Sequence, residues 1–417
     1  MTSERIAKWQ DGLVWPAVAL SQLMLLAVLP TINVMAIYQF NATVEDVGVL
    51  FAVSSLVAAF SCPFGGWLSR RVSRRRLILL GSVMYVAWPV LVSLSESLVH
   101  LGLCQVFLGL SSGALWPSLE AELARGREGP LLQKRLSVFN VAWSSGMVFG
   151  PLLGVLLNPG EDAAGTEAGR QAMNLACLIS VAPSVIMVWL LMAWRIRMPA
   201  PGEAAAWAAK EPPHDPVRLR TFRKMAYVAN FTRCLATSVL SWLFLGLAAE
   251  QWAEYDSVSI YFWLLLAQGA ACTVTFMAMY VTHGWACRLK RHLAFLLSIV
   301  ACLVAVSLSS SIAVAAVAFV VVGVAMAFLY SGSLYYSIEG QGEGDHMTGW
   351  HEGILAAGGA SGLLMASFMP RLLETVGVAD AWWRIRSPYL LAAALFAVGI
   401  LAQLGIYLRR PRCRTAA

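Results

Sequence analysis

Long apolar blocks alternate along this chain with short polar breaks, and no stretch shows the period-two alternation of a half-buried strand. Twelve blocks can be placed, at residues 14–38, 46–68, 77–95, 98–120, 137–157, 171–194, 224–247, 257–282, 293–309, 312–336, 350–370 and 388–408. Blocks of that length match the hydrocarbon thickness of a bilayer when helical. In that solvent a backbone must satisfy its own amides, which leaves the helix as the reading for each block. The pattern predicts an all-α integral membrane protein, with twelve transmembrane helices in two pseudo-symmetric six-helix bundles.

Composition strengthens this picture. Of 417 residues, 59% are hydrophobic and 13% charged, where a soluble domain carries roughly 25% charge. Length alone would suggest two or three soluble domains; a mean hydropathy of +0.68 overrides that. The longest polar segment, 195–223, contains Pro199, Pro201, Pro212, Pro213 and Pro216. It divides the chain into an N-terminal bundle (1–194), a central linker (195–223) and a C-terminal bundle (224–417) with a short basic tail. The opening MTSERIAKWQDG leads into a block too long for a signal h-region, so that block is expected to remain as span 1. Eight cysteines are scattered singly, without metal-ligand spacing, so no metal or cofactor is expected.

The net charge of +7 is distributed unevenly. Arginines and lysines gather in the breaks after spans 2, 4, 6 and 8 and near both termini, whereas the opposite breaks are short and mostly acidic, as at Glu45, Asp46, Glu161 and Asp256. The positive-inside rule then places both termini in the cytoplasm of a multi-pass inner or plasma membrane protein. One opposite loop, with Arg371, Arg384 and Arg386, dissents. The richest break, SRRVSRRR, packs five arginines into residues 70–76. Between two spans it is too short and too close to the headgroups to be a nucleic-acid patch; setting topology and contacting anionic lipid fit better.

The two halves also resemble each other. Gly66-Trp67 with Arg70 recurs as Gly284-Trp285 with Arg288, and Gly146 and Gly150 recur as Gly358 and Gly362. On the latter register Asn140 falls opposite Glu352. Parallel six-span repeats occur in transporters that hold substrate at the midplane between two halves.

At this point the chain resembles the major facilitator superfamily over nearly its whole length. The arginine-rich break is similar to the family's loop 2–3 signature, Gly-x-Leu-x-Asp-Arg-x-Gly-Arg-Arg, at Gly66, Leu68, Arg71, Arg74 and Arg75. It departs where Arg70 replaces the usual Asp and Ser73 the usual Gly. A second signature, Gly-x-x-x-Gly-Pro-x-x-Gly, is intact in span 5 as Gly146, Gly150, Pro151 and Gly154 and resembles the motif of proton-driven efflux members. In span 4, Gln105 stands where many members have arginine. The resemblance implies a monomeric secondary transporter whose cavity is surrounded by spans 1, 4, 7 and 10. It also implies that an acidic residue ending span 4, Glu120 or Glu122, bridges to Arg74 as a cytoplasmic gate. Read physically, the span 5 glycines either let helices pack closely or, with Pro151, give the span flexibility for alternating access.

Polar residues inside the spans supply the candidate chemistry. Arg233 lies well inside span 7, where a cation costs on the order of 3 kcal/mol unless it faces water or an acid. Asn230, Thr237 and Ser241 share its helical face. A structural ion pair and a substrate or coupling contact both remain open for Arg233. Span 11 opens with Trp350-His351-Glu352; His351 and Glu352 form a candidate proton site, unless both lie among the headgroups. Softer substrate candidates are Asn33 with Gln22 on span 1, Gln105, Ser112 and Trp116 on span 4, Asn140 on span 5, and Tyr330 with Ser333 on span 10.

These readings point to a secondary active transporter of a small organic molecule, proton-coupled, with export favoured on the span 5 motif. A transport-inactive relative acting as a sensor or assembly partner is the alternative, given Arg70, Ser73 and Gln105. No ATP-binding motif and no catalytic constellation is present, so an enzyme is not expected.

Overall fold

A computed structural model describes residues 3–157, 160–196, 215–252, 254–282, 285–340, 345–377 and 380–409. Gly284 of the repeat, most of the central linker and the basic tail from residue 410 lie outside the described residues. Among the described residues every regular element is helical.

Twelve helices are long and apolar enough to cross a membrane: Lys8–Gln39, Val44–Leu68, Arg74–Ser93, Leu98–Ala124, Gly129–Leu157, Glu167–Ala193, Pro216–Gln251, Ser257–Val281, Leu289–Leu308, Ile312–Ile338, His346–Thr375 and Trp382–Leu408. They are spans 1 to 12. Several outrun their apolar blocks. Span 7 begins at Pro216, with Asp215 accepting from the amides of Val217 and Arg218, so residues 216–223 of the expected linker are helix. The helix of span 11 extends back to Asp345, which places His351 and Glu352 more than a turn inside it.

An even number of spans brings both chain ends to one side, here called the terminal face. Acidic residues of the opposite face act as helix caps. Thr43 and Asp46 cap span 2 reciprocally, Asp256 caps span 8 and Asp380 caps span 12. A carboxylate at each of these N-termini satisfies orphan amides and meets the positive end of the helix dipole. Two of the three dissenting arginines there are compensated: Arg384 pairs with Glu374, and Arg386 donates to the Ser307 carbonyl at 3.1 Å and to the Ser310 hydroxyl at 2.7 Å.

The internal repeat is visible in the packing. Gly146 lets span 5 approach the backbone of Ala19 in span 1; Gly358 lets span 11 approach that of Phe231 in span 7, with 212 residues separating both members of the pair. Gly150 and Gly362 continue these contacts one turn on, and a side chain at any of the four would collide with backbone. Gly154 faces a different partner, the ring of Phe262 on span 8, across the two halves.

Contacts between halves occur on both sides of the midplane. Toward the opposite face, the Asn33 amide donates to the Trp242 carbonyl at 2.9 Å and to the Tyr261 hydroxyl at 3.3 Å, and the hydroxyls of Tyr38 and Ser257 lie 3.2 Å apart. Phe51 stacks on Trp242 with centroids 4.9 Å apart. Toward the terminal face, Thr348 donates to the Pro117 carbonyl at 3.0 Å, the Gly129 amide donates to the Glu339 carboxylate at 2.9 Å, and Gly349 packs on Cys62 and Gly66.

Candidate functional site

Between these two sets of contacts a cavity of about 310 Å³ lies between the halves. Aromatic rings make much of its wall. Trp143 of span 5 stacks on Tyr330 of span 10, centroids 5.4 Å apart and planes 11° apart. The Trp116 indole donates to the Tyr85 hydroxyl at 2.9 Å, and Trp242 adds a further ring. The polar lining includes Arg233, Thr237, Ser238, Ser241, Gln268 and Glu352.

At the terminal end of the cavity three titratable groups converge. Glu120 comes from span 4, in the N-terminal half; His351 and Glu352 come from span 11, in the C-terminal half. One donor atom from each lies within 4.8 Å of the others. Glu120 is 1% exposed and accepts a hydrogen bond from the Tyr330 hydroxyl at 3.2 Å. His351 is fully buried; its Nδ1 lies 3.1 Å from the Ser333 hydroxyl and its Nε2 3.5 Å from the Glu352 carboxylate. Arg233 completes the group. Its guanidinium donates to Asn230 Oδ1 at 2.7 Å and sits 5.5 Å from the centre of the Tyr330 ring.

The spacing of Glu120, His351 and Glu352 would admit a divalent cation as well as a proton. Two carboxylates and one guanidinium leave a single negative charge in excess. One proton cancels it, whereas a divalent cation would leave a buried positive charge.

Of the twelve polar and aromatic candidates read from the sequence, seven line the cavity: Gln22, Ser112, Trp116, Arg233, Thr237, Ser241 and Tyr330. Ser333, which meets His351, and four others do not. Asn33 is spent on the contact with Trp242 and Tyr261. Asn140 donates to the Ser331 hydroxyl at 2.8 Å across the halves. Asn230 holds Arg233 and donates to the His351 carbonyl at 3.2 Å, and Gln105 is fully buried away from the cavity. Glu352 lines the cavity and His351 stands behind it, so this pair is deep in the bundle rather than among headgroups.

Among the gating candidates, Arg74 meets Glu122 at 3.1 Å as the resemblance implied. Glu120 is a correction: it turns away from Arg74 and into the interior. Residues two apart on a helix point to opposite sides, so both glutamates could not serve one arginine. Arg71 lies 4.2 Å over the Trp67 ring, Arg75 donates to the Met192 carbonyl at 2.6 Å, and Arg70 is exposed. Pro151 borders the cavity. The sequence reading missed Trp143, Tyr85, Trp242 and Gln268.

The family model of the Major Facilitator Superfamily matches residues 14–363. The chain belongs to the Major Facilitator Superfamily. This is a family of membrane transporters and not of enzymes. Solved structures with the same fold include the human organic anion transporter MFSD10 (TETRAN), with a TM-score of 0.65, 16% identity and coverage of 97% of this chain and 100% of that one. The nucleoside transporter NupG gives a TM-score of 0.63 at 10% identity, covering 95% of this chain and 100% of its own. Sequence similarity to curated relatives is local. The quinolone resistance protein NorA of Staphylococcus aureus is 24% identical over 125 residues, 30% of this chain and 32% of NorA. A multi-drug resistance efflux pump PmrA homolog of Lactococcus lactis is 29% identical over 107 residues, 26% of each chain. The chain thus spans about a third or less of the length of these curated relatives.

Proposed function

We propose that this protein is a proton-coupled secondary transporter of a small organic molecule, working as a monomer by alternating access. The halves 1–194 and 216–417 are the moving bodies, joined by the remainder of the central linker. The observation that carries the reading is the meeting of Glu120 with His351 and Glu352 across the halves, beside Arg233 and at the cavity wall. Two buried carboxylates this close hold a proton between them rather than both ionising. Losing that proton leaves like charges facing each other from opposite halves and favours their separation. Proton release and opening of the terminal side are then one event, which is the requirement for coupling.

The terminal face is assigned to the cytoplasm from the arginine distribution. Its arginine-rich loop contacts anionic lipid and latches spans 2 to 4 through Arg74 and Glu122. That bridge forms without the usual Asp at position 70, which supports a transport-active reading over a transport-inactive one. Whether substrate leaves or enters depends on whether it binds together with protons or in exchange for them. The span 5 signature and the local likeness to a multi-drug resistance efflux pump PmrA homolog favour exchange; yet in this chain Gly146, Gly150 and Gly154 all have packing roles that require glycine.

The test is reconstitution into liposomes with an imposed pH gradient. Substrate-linked proton flux in the wild type, lost in Glu352→Gln and Glu120→Gln, supports the reading; absence of such flux across a broad metabolite and drug panel overturns it.

A further inference from the structure

Arg233 is underemployed as a hydrogen-bond donor. A guanidinium has five N–H groups, and buried ones are ordinarily satisfied by carboxylates or carbonyls. This residue is 3% exposed, yet its Nη2 bond to Asn230 is the one hydrogen bond it makes among the described residues, and its Nε has no partner. Asn230 is in turn fixed by the His351 carbonyl, so the guanidinium is held in place from behind. Arg233 is itself among the residues lining the cavity, with Thr237 and Ser241 of the same span. A fixed, buried cation with donors left over at a cavity wall is a built anion subsite.

The rest of the wall describes what the anion is attached to. Trp116, Trp143, Trp242, Tyr85 and Tyr330 all line it, with Tyr330 stacked on Trp143 and 5.5 Å from the Arg233 guanidinium. Such walls accept a planar hydrophobic body.

We infer that the cavity takes an aromatic organic anion, with its charged group on the free edge of Arg233 and its ring system against the tryptophan and tyrosine wall. The inference rests on the cavity being the substrate site, and its pH dependence rests in addition on the proposed Glu120–Glu352 proton site.

A consequence for coupling follows from the neighbours. Glu352 and Glu120 face the same space as Arg233, with His351, Tyr330 and Cys62 around them. A substrate anion replaces the carboxylate charge that otherwise balances Arg233, so the carboxylates take up protons as the anion binds. Anion and proton are then loaded together and move in the same direction. An inward proton gradient drives uptake, opposite to the direction expected from the span 5 signature.

The experiment is calorimetric titration of the purified protein with 2-naphthoate, 2-naphthamide and 2-naphthylmethylamine at pH 6 and pH 8. The wild type is expected to bind the naphthoate about tenfold or more tightly than either analogue, and more tightly at pH 6, where the acid itself remains ionised. Arg233→Gln lowers naphthoate affinity about tenfold to a hundredfold and leaves the amide unchanged. Glu352→Gln flattens the pH dependence of naphthoate binding. Equal or better binding of the amine or amide, no naphthoate binding at millimolar concentration, or affinity that falls on acidification overturns the inference. The wild-type comparison decides even if Arg233→Gln does not fold. No membrane gradient is involved, so failure of coupling in liposomes and failure of anion selectivity are separate results.

Discussion

Glu122 accepts a hydrogen bond from Arg74 at 3.1 Å on the terminal face, while Glu120, two positions earlier, is turned into the bundle and accepts one from Tyr330 at 3.2 Å. Two acids at the end of one helix therefore serve different tasks. Glu122 ties span 4 to span 3 within the N-terminal half, and Glu120 reaches across to the C-terminal half.

The first prediction concerns the Arg74–Glu122 bridge, whose side chains are 18% and 16% exposed. Arg74→Glu and Glu122→Arg are each expected to lower transport several-fold, and the double exchange to restore most of it. Exposed pairs contribute about 1 kcal/mol or less, so the effect appears in rate rather than in folding. Liposome uptake rates for the four proteins give the coupling. No recovery in the double mutant removes the bridge from the gate.

Glu120→Gln and Glu352→Gln separate binding from coupling. Each keeps the size of the side chain and removes a titrating group. Substrate exchange across a membrane at equal pH should persist near the wild-type rate, while accumulation driven by a pH gradient should vanish. Exchange lost together with accumulation would show a merely structural role.

The repeated glycines give a stability prediction. Gly146→Ala and Gly358→Ala each place a methyl group against the backbone of a neighbouring span, at a cost of about 1–3 kcal/mol. At Gly405 a methyl group would meet nothing within 4 Å, so that position should tolerate Ala or gain slightly from it. Thermal melting in detergent orders the three.

Glu339 supplies a pH dependence at the terminal face. Burial pushes its carboxyl above the ordinary carboxylate range, an effect only partly offset by the Gly129 amide that donates to it. The folded state therefore holds this proton more tightly than the unfolded chain does. Its contribution to stability falls as pH rises from the unfolded to the folded value, and is constant outside that window. Melting temperature of the wild type relative to Glu339→Gln should fall across that interval; a difference that grows with pH refutes the assignment.

How far the sequence foretells this molecule differs between fold and site. Twelve blocks read from hydropathy correspond to the twelve spans because the bilayer imposes length and polarity on each. Their ends are less legible, as at span 7: residues 216–223 are polar and still helical, since hydropathy marks the bilayer and not where a helix stops. Arg233 was legible as a lone cation in an apolar block. Asn33 and Asn140 were legible as buried polar residues, but not as cross-half contacts rather than ligand contacts, because that depends on the partner half. Glu120 could have been placed from spacing alone, by its two-residue offset from Glu122. Trp143 carries no such signal among sixteen tryptophans, many of them suited to the membrane interface.

The two closures of the cavity differ in chemistry. Opposite the termini, the halves meet through the Asn33 amide, the hydroxyls of Tyr38 and Ser257, and the Phe51–Trp242 stack. None of these changes charge between about pH 5 and 9. On the terminal side the contacts run through Glu120, Glu339 and the His351–Glu352 pair. On the proton-coupled reading proposed above, the molecule would be a valve with one seat indifferent to acidity and the other adjusted by it, so that the acidity of a single compartment biases which way it stands.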